Sequence, residues 1–287
     1  MYILENDSYK VSISALGAEL TSVYSKKMKK ELLWQADKNI WARHAPVLFP
    51  IVGKLKNNTY TFEGKEYHLP QHGFARDKEF KLSVQTETTV ELELRNTEET
   101  QLIYPFSFRL IICYELANGL IKCTYKVLNT DNKEIFFSIG AHPGFICPMY
   151  ENETLNNYRI EFQEKEVSER RLLSEGLCTD DHEKVFEEPG ILSLSSSLFD
   201  KDALVFDDLR STSLRLVSDK YCLSFNWFNM PYFGIWAKKD AEKFICIEPW
   251  SGIADSVNAT GNLAKKEGII KLAVDKEHVS GFSFYVK

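Results

Sequence analysis

The stretch that decides the fold covers residues 109–127 and reads RLIICYELANGLIKCTYKV. Two runs in which apolar, mostly aromatic and β-branched residues alternate with polar ones flank the dipeptide Asn118-Gly119. Asn-Gly supplies the positive φ angles of a two-residue hairpin turn, and alternation with a period of two is typical of a strand with one buried face. The stretch therefore predicts a β-hairpin.

Three further pairs of strand-like runs predict hairpins, around Glu63-Gly64, around residues 86–88 and around residues 218–220. Strand-like spacing continues to residues 282–286, and the long helical patterns that would connect parallel strands are missing. Short helices are expected only near residues 258–267 and 168–174, and the polar run YENETLNN, residues 150–157, is expected to be a surface loop. The sequence predicts an all-β fold, an antiparallel β-sandwich that forms one domain over residues 1–287.

Composition and charge exclude several classes of function. The 287 residues are 44% hydrophobic and 26% charged, which is typical of a globular chain with a sizeable core. A net charge of -6 without a dense Lys/Arg cluster argues against nucleic-acid binding. The N-terminal run MYILENDSYK lacks the features of a signal peptide, and no stretch is apolar enough to span a bilayer. We expect a cytoplasmic monomer or homodimer that binds a small molecule.

Neither the cysteines nor the histidines predict a metal site. The six cysteines are scattered without the close pairs of zinc or redox motifs, and Cys113, Cys123 and Cys246 lie in apolar runs where a small buried residue is expected. His68 and His72 are four residues apart, but Pro70 between them prevents the helix that would align them. No metal and no cofactor are expected.

Three stretches are too unusual for ordinary strands. The first is PVLFPIVGK, residues 46–54, with QHGFARD, residues 71–77; the others are SIGAHPGF, residues 138–145, and ICIEPWSG, residues 245–252. His142 and Glu248 lie at the ends of strand-like runs, where side chains can face a pocket. Such a histidine is more often a packed or solvated residue, and such a glutamate is more often a surface charge. Neither motif alone identifies a catalytic residue.

Together the motifs resemble a known family. PVLFPIVGKL, QHGFARDKEF, GAHPGF, DALVF and IEPWSGIAD, in this order, are similar to motifs of the aldose 1-epimerase (galactose mutarotase-like) family, especially its LacX-like bacterial branch, over nearly the whole chain. The resemblance implies a galactose mutarotase-like β-sandwich with a sugar bound across its concave sheet. It also implies a cofactor-free isomerase that interconverts the α and β anomers of an aldose.

The resemblance also implies roles for single residues. His142 and Glu248 correspond to the catalytic pair, with protonated His142 as the acid and ionised Glu248 as the base. The expected sugar-binding residues are His72, Arg76, Asp202, Arg43, Lys54 and Trp236. Aromatic residues that are candidates to stack on the sugar are Trp236, Trp250 and Phe74, although Trp236 is as well explained by the core.

The chain departs from the family pattern at two places. Gly53-Lys54 stands where many relatives carry Gly-Arg, and Asn57-Asn58 replaces the Asn-Arg pair of true galactose mutarotases. The loss of an arginine removes a bidentate donor to sugar hydroxyls, so the sequence leaves the aldose open. Two alternatives also stay open: a sugar-phosphate substrate held by the three basic candidates, and a non-catalytic carbohydrate-binding or regulatory module.

Overall fold

The computed structural model describes residues 1–117, 119–239 and 241–287. Its strands in this part of the chain are β1 (Tyr2–Glu5), β2 (Tyr9–Ile13), β3 (Leu20–Ser25), β4 (Lys30–Glu31), β5 (Val47–Leu48), β6 (Thr59–Phe62), β7 (Lys65–His68), β8 (Lys81–Gln85), β9 (Thr89–Arg95), β10 (Phe108–Ala117), β11 (Leu120–Asn129), β12 (Ile135–Phe137), β13 (Gly140–Ala141), β14 (Gly144–Ile146), β15 (Arg159–Phe162), β16 (Glu169–Ser174), β17 (Leu177–Lys184), β18 (Ile191–Ser193), β19 (Leu204–Phe206), β20 (Ser213–Val217), β21 (Cys222–Phe228), β22 (Tyr232–Trp236), β23 (Phe244–Trp250), β24 (Ile270–Leu272) and β25 (Glu277–Val286). The helical segments are α1 (Glu98–Ile103) and the 3₁₀ turns Lys56–Asn58, Ala75–Asp77, Leu155–Asn157, Ser196–Phe199 and Leu263–Lys265.

Two large antiparallel sheets form the framework. One has nine strands in the order β18-β15-β20-β21-β25-β11-β10-β9-β8, and the other has the order β17-β16-β19-β22-β23-β13-β5, with β14 also paired to β23. Aromatic rings of the two sheets meet: the centroids of Phe145 and Phe284 are 5.1 Å apart, and those of Phe162 and Phe233 are 6.3 Å apart. The sheets therefore pack face to face, which confirms the predicted antiparallel β-sandwich. Smaller sheets are formed by β1–β4, by β6 with β7 and by β12 with β24.

The hairpin predicted for residues 109–127 is present as β10 and β11. Ala117 lies opposite Leu120, and Gly119 has a φ of 74°, as a two-residue turn requires; Asn118 lies outside the described residues. One face of β10 is buried in the core and consists of Leu110, Ile112, Tyr114 and Leu116. Each such side chain contributes about 1.5–3 kcal/mol when it is fully buried. The three other predicted hairpins are also confirmed, as β6–β7, β8–β9 and β20–β21.

The helix predicted for residues 168–174 is wrong, because this segment forms β16 and pairs with β17 and β19. Its two arginines are buried rather than solvated. Arg170 forms an ion pair with Glu183, and Arg171 lies 2.7 Å from Glu267. Ion pairing allows these arginines to be buried in a sheet. The polar composition of the run alone favours an exposed helix.

The other local predictions hold in part. Residues 258–267 contain one 3₁₀ turn, Leu263–Lys265, in which the Ala264 N–H donates to the Asn262 side chain. The run 150–157 connects β14 to β15, as expected. Helix α1 was not predicted; Thr97 and Thr100 form a reciprocal capping box at its start, in which Thr100 takes the place of the usual Glu or Gln. None of the helices in the described part of the chain is long and apolar enough to cross a membrane.

Candidate active site

A pocket of about 280 Å³ is lined by β16, β17, β19, β22 and β23 and by neighbouring loops. Its volume is close to the lower end of the roughly 300–1,000 Å³ range of small-molecule sites, which suits a ligand the size of one sugar ring. The aromatic residues of its walls are Trp41, Trp236 and Trp250. Its polar lining residues are Gln71, His72, Arg76, His142, Asp202 and Glu248. Apolar walls with a few convergent polar groups are typical of a binding site for a small organic molecule.

The pairing of strands brings His142 and Glu248 together. On either side of His142, Gly140 pairs with Trp250 and Gly144 pairs with Cys246, so position 142 lies opposite Glu248 of β23. Pro143 interrupts the ladder between β13 and β14 and leaves the histidine facing the pocket. His142 Nε2 lies 3.2 Å from Glu248 Oε2, and the carboxyl side chain is only 2% exposed. An acid and a base are thus in direct contact at a buried position.

Burial favours the neutral forms of both groups. Removal from water lowers the pKa of His142 to about 3, and the nearby Arg76 and Arg43 guanidinium groups act in the same direction. Burial raises the pKa of Glu248 well above its usual value; the Trp250 indole opposes this effect and the Asp202 carboxylate adds to it. In the free protein the proton of the pair therefore resides on Glu248. This result corrects the expectation of a protonated His142 facing an ionised Glu248.

The backbone of Gly53 fixes the tautomer of His72. The Gly53 backbone N–H donates to His72 Nδ1 at 3.1 Å, and the backbone N–H of His72 donates to the Gly53 carbonyl at 2.8 Å. The pKa of His72 is well below its usual value. Burial is the largest cause, and the electrostatic effect of the neighbouring His142 is the next largest. His72 is therefore a neutral imidazole whose Nδ1 accepts a hydrogen bond and whose proton lies on Nε2, 3.3 Å from the Gln71 side-chain amide. Gly53 is required because its φ is +72° and a Cβ there would lie 2.6 Å from the Ala254 Cα.

Arg76, Asp202 and Trp236 line the same pocket as His142 and Glu248. Arg76 donates through Nη2 to the Gln71 carbonyl at 2.7 Å, whereas its buried Nε has no hydrogen-bond partner among the described residues. Asp202 lies in the turn before β19, and the Trp236 ring contacts His142 edge-on at 5.8 Å. These groups are placed to contact a ligand.

Arg43 and Lys54 lie outside the residues that line the pocket. Arg43 Nη2 lies 2.7 Å from Asp77 Oδ1, and Lys54 donates to the Glu175 carbonyl at the tip of the β16–β17 hairpin at 3.0 Å. Arg76 is therefore the only lining residue in the described part of the chain with a permanent positive charge. The three basic candidates do not converge on one anion site.

Comparison with known proteins agrees with the fold. The family model described as Aldose 1-epimerase matches residues 1–270. The chain belongs to the aldose 1-epimerase family. The plasmid and chromosomal forms of Protein LacX from Lactococcus lactis subsp. lactis are each 32% identical to it over 280 residues, which cover 94% of this chain and 93% of theirs.

Solved structures of similar proteins support the same assignment. A galactose mutarotase related enzyme from Lactobacillus acidophilus is 38% identical, with a TM-score of 0.93 over 100% of this chain and 97% of that one. A galactose mutarotase-like protein from Lactobacillus casei ATCC 334 is 27% identical, with a TM-score of 0.94 over the whole of both chains. The family resemblance inferred from the five motifs is confirmed.

The aldose 1-epimerase motifs did not reveal every lining residue. Trp41 stacks on His142 with ring centroids 5.0 Å apart, and its only signal is its position shortly before the APVLFP motif. The β16–β17 hairpin contributes Leu173, Gly176 and Cys178, which carry no recognisable motif. Phe74 was wrongly expected to stack on the sugar. It is buried in the core against Phe49 and Tyr104, because its side chain points away from the pocket that His72 faces.

The possible metal ligands that lie together in the structure differ from the His68 and His72 pair considered in the sequence. His68 is 73% exposed beside Glu66, while His72 is in the pocket. In the described part of the chain, the one group of possible ligand atoms that lie within 4.8 Å of one another belongs to His142, Cys246 and Glu248. All six cysteines are free; Cys123 and Cys246 are buried as expected, and Cys113 is half-buried.

Proposed function

We propose that the protein is a mutarotase that interconverts the α and β anomers of a neutral aldose by acid–base catalysis. The observation that carries this proposal is the contact between His142 and Glu248, 3.2 Å apart in a pocket whose size suits one sugar ring. Membership of the aldose 1-epimerase family supports the same reaction class. A buried acid–base pair with opposed pKa shifts is a recurring feature of catalytic sites.

The reaction needs two proton transfers and no redox step. In ring opening, Glu248 accepts the proton of the anomeric hydroxyl, while His142 donates a proton to the ring oxygen as the bond from that oxygen to C1 breaks. The anomeric C–O bond becomes a carbonyl. After rotation about the C1–C2 bond, the two transfers run in reverse and close the ring on the other face.

The His142–Glu248 pair carries one proton whether that proton lies on Glu248, as in the free protein, or on His142, as ring opening requires. The protonation state of the free protein therefore fits this mechanism. Across the 3.2 Å contact the proton moves from Glu248 to His142 when sugar hydroxyls donate hydrogen bonds to the carboxylate and stabilise its charge. The titration therefore belongs to the pair and not to one residue.

Other lining groups supply donors for the sugar oxygens. Arg76 Nε is buried and has no hydrogen-bond partner among the described residues, a costly arrangement that a sugar hydroxyl would relieve. His72 offers its Nε2 proton, and Asp202 offers a carboxylate acceptor. The tryptophan walls can stack on the apolar face of the ring.

The test of the proposed function is polarimetry on freshly dissolved α-D-glucose and α-D-galactose. We expect the wild-type protein to accelerate the approach to the equilibrium rotation in proportion to its concentration. A rate equal to that of buffer alone, for neutral and phosphorylated aldoses alike, would instead support the non-catalytic binding module.

The pH dependence follows from the one-proton state of the pair. Because protonation of His142 in the free protein requires a pH of about 3, we expect kcat/KM to vary less than about twofold between pH 5 and pH 7. At higher pH, kcat/KM should fall as Glu248 loses its proton with a raised pKa. An acid limb near the usual histidine pKa of about 6.5 would contradict the neutral pair.

We expect a preference for neutral sugars over their phosphates. The Asp202 side chain lines the pocket, while Arg43 and Lys54 are engaged outside it, so a phosphate dianion in the pocket meets the Arg76 guanidinium and the Asp202 carboxylate. We predict a kcat/KM for glucose at least about tenfold above that for glucose 6-phosphate, which corresponds to about 1.4 kcal/mol. A higher value for the phosphate would favour the sugar-phosphate alternative.

A further inference from the structure

One buried nucleophilic group beside the acid–base pair has no part in the proposed reaction. Cys246 precedes Glu248 by two residues in β23, so both side chains point to the same face of the sheet. The Cys246 side chain is fully buried, and its neighbour across the ladder is Gly144, which has no side chain to cover the thiol. Trp41 fills the space over Gly144 and also stacks on His142, so it encloses the group.

The donor atoms of this group match the preferences of a thiophilic divalent metal. Ligand atoms of His142, Cys246 and Glu248 all lie within 4.8 Å of one another. A tetrahedral zinc site with the usual bond lengths of about 2.0–2.3 Å separates its ligand atoms by roughly 3.3–3.8 Å, so side-chain adjustments of about 1 Å complete the geometry. Hard cations such as Mg²⁺ and Ca²⁺ prefer oxygen ligands and do not suit this set.

We infer that Zn²⁺ and similar thiophilic cations bind to His142, Cys246 and Glu248 and thereby inhibit the enzyme. The thiol proton of Cys246 and the carboxyl proton of Glu248 pass to solvent, three side chains coordinate the ion, and the fourth position faces the pocket, as in zinc sites that keep one position open. The ion occupies the acid and the base, so proton transfer to the sugar stops. The metal is an inhibitor and not a cofactor, because mutarotation requires only proton transfers.

The inhibition assay, which rests on the proposed mutarotase activity, compares variants of buried cysteines. We expect Zn²⁺ to inhibit the EDTA-treated wild-type protein reversibly and further EDTA to restore the rate. Cys246→Ala and the larger Cys246→Val raise the half-inhibitory Zn²⁺ concentration by at least about tenfold, since loss of even an outer partner of a metal ligand costs 10–100-fold in affinity. The matched control Cys123→Ala removes a buried strand thiol of the other sheet and should be inhibited like the wild type.

A second readout does not depend on catalysis. When the wild-type protein or Cys123→Ala is titrated with Cd²⁺, we expect the ultraviolet thiolate-to-metal charge-transfer band to appear. When either folded Cys246 variant is titrated, we expect the band to be absent. If Cd²⁺ binds but no mutarotation is detected, the metal site stands and the proposed function fails. The metal site is overturned if the wild type shows no band, or if a folded Cys246 variant retains wild-type Cd²⁺ affinity or Zn²⁺ inhibition.

Discussion

Replacement of Glu248 by Gln is expected to lower kcat about 10²–10⁴-fold, the usual contribution of one general acid–base group. The amide keeps the shape of the side chain but cannot accept the anomeric proton. Because burial raises the pKa of Glu248, the carboxyl group is held in an unfavourable environment, so the variant should unfold at the same temperature as the wild type or at a higher one. Polarimetry gives the rate, and thermal unfolding followed by circular dichroism gives the stability.

His142→Asn provides the companion measurement. Since the two residues act as one proton-transfer unit, the double variant is expected to be little slower than the slower single variant. Independent losses that multiply in the double variant, or a Glu248→Gln protein with more than about a tenth of the wild-type kcat, would contradict their joint role.

The largest loss of stability is expected from Lys266→Met. Lys266 Nζ lies 3.0 Å from Asp255 Oδ1, and the two side chains are only 3% and 4% exposed. Removal of the ammonium leaves Asp255 as an unpaired buried carboxylate, although it still accepts from the Lys56 N–H at 3.0 Å. Breaking a buried ion pair in this way costs about 3–5 kcal/mol in free energy of unfolding. Urea unfolding monitored by tryptophan fluorescence measures this change.

Lys201→Met is the matched control, because Lys201 forms an ion pair with Glu183 at 2.7 Å while its side chain is 57% exposed. An exposed pair of this kind contributes about 0–1 kcal/mol. The buried pair also supports Ile253 and Ala254, which line the pocket, so Lys266→Met is expected to raise KM as well. Equal losses of stability in the two variants would show that the buried pair does not hold this segment.

Local patterns were sufficient to predict much of the fold. The Asn-Gly turn and the alternation on either side of it predicted β10 and β11, and similar runs predicted three more hairpins. The error at residues 168–174 arose because Glu183 and Glu267, the partners of its two buried arginines, lie on other segments. A pattern read along one segment cannot reveal such distant pairing.

The site was predictable only through the resemblance of its motifs to a family. His142 and Glu248 meet because Gly140 lies opposite Trp250 and Gly144 opposite Cys246, a register between segments about a hundred residues apart. No local period encodes this register. The state of protonation was also beyond prediction from sequence, since it depends on the burial that the assembled pocket imposes.

Two-dimensional NMR exchange spectroscopy of ¹³C-labelled glucose at anomeric equilibrium can observe the interconversion itself. With catalytic amounts of wild-type protein, the mutarotase proposal predicts exchange cross-peaks between the α and β anomeric signals, which disappear when Glu248→Gln replaces the wild type. No cross-peaks above those of the buffer with the wild type, for glucose and for galactose, would contradict the assignment of His142 and Glu248 as a mutarotase pair.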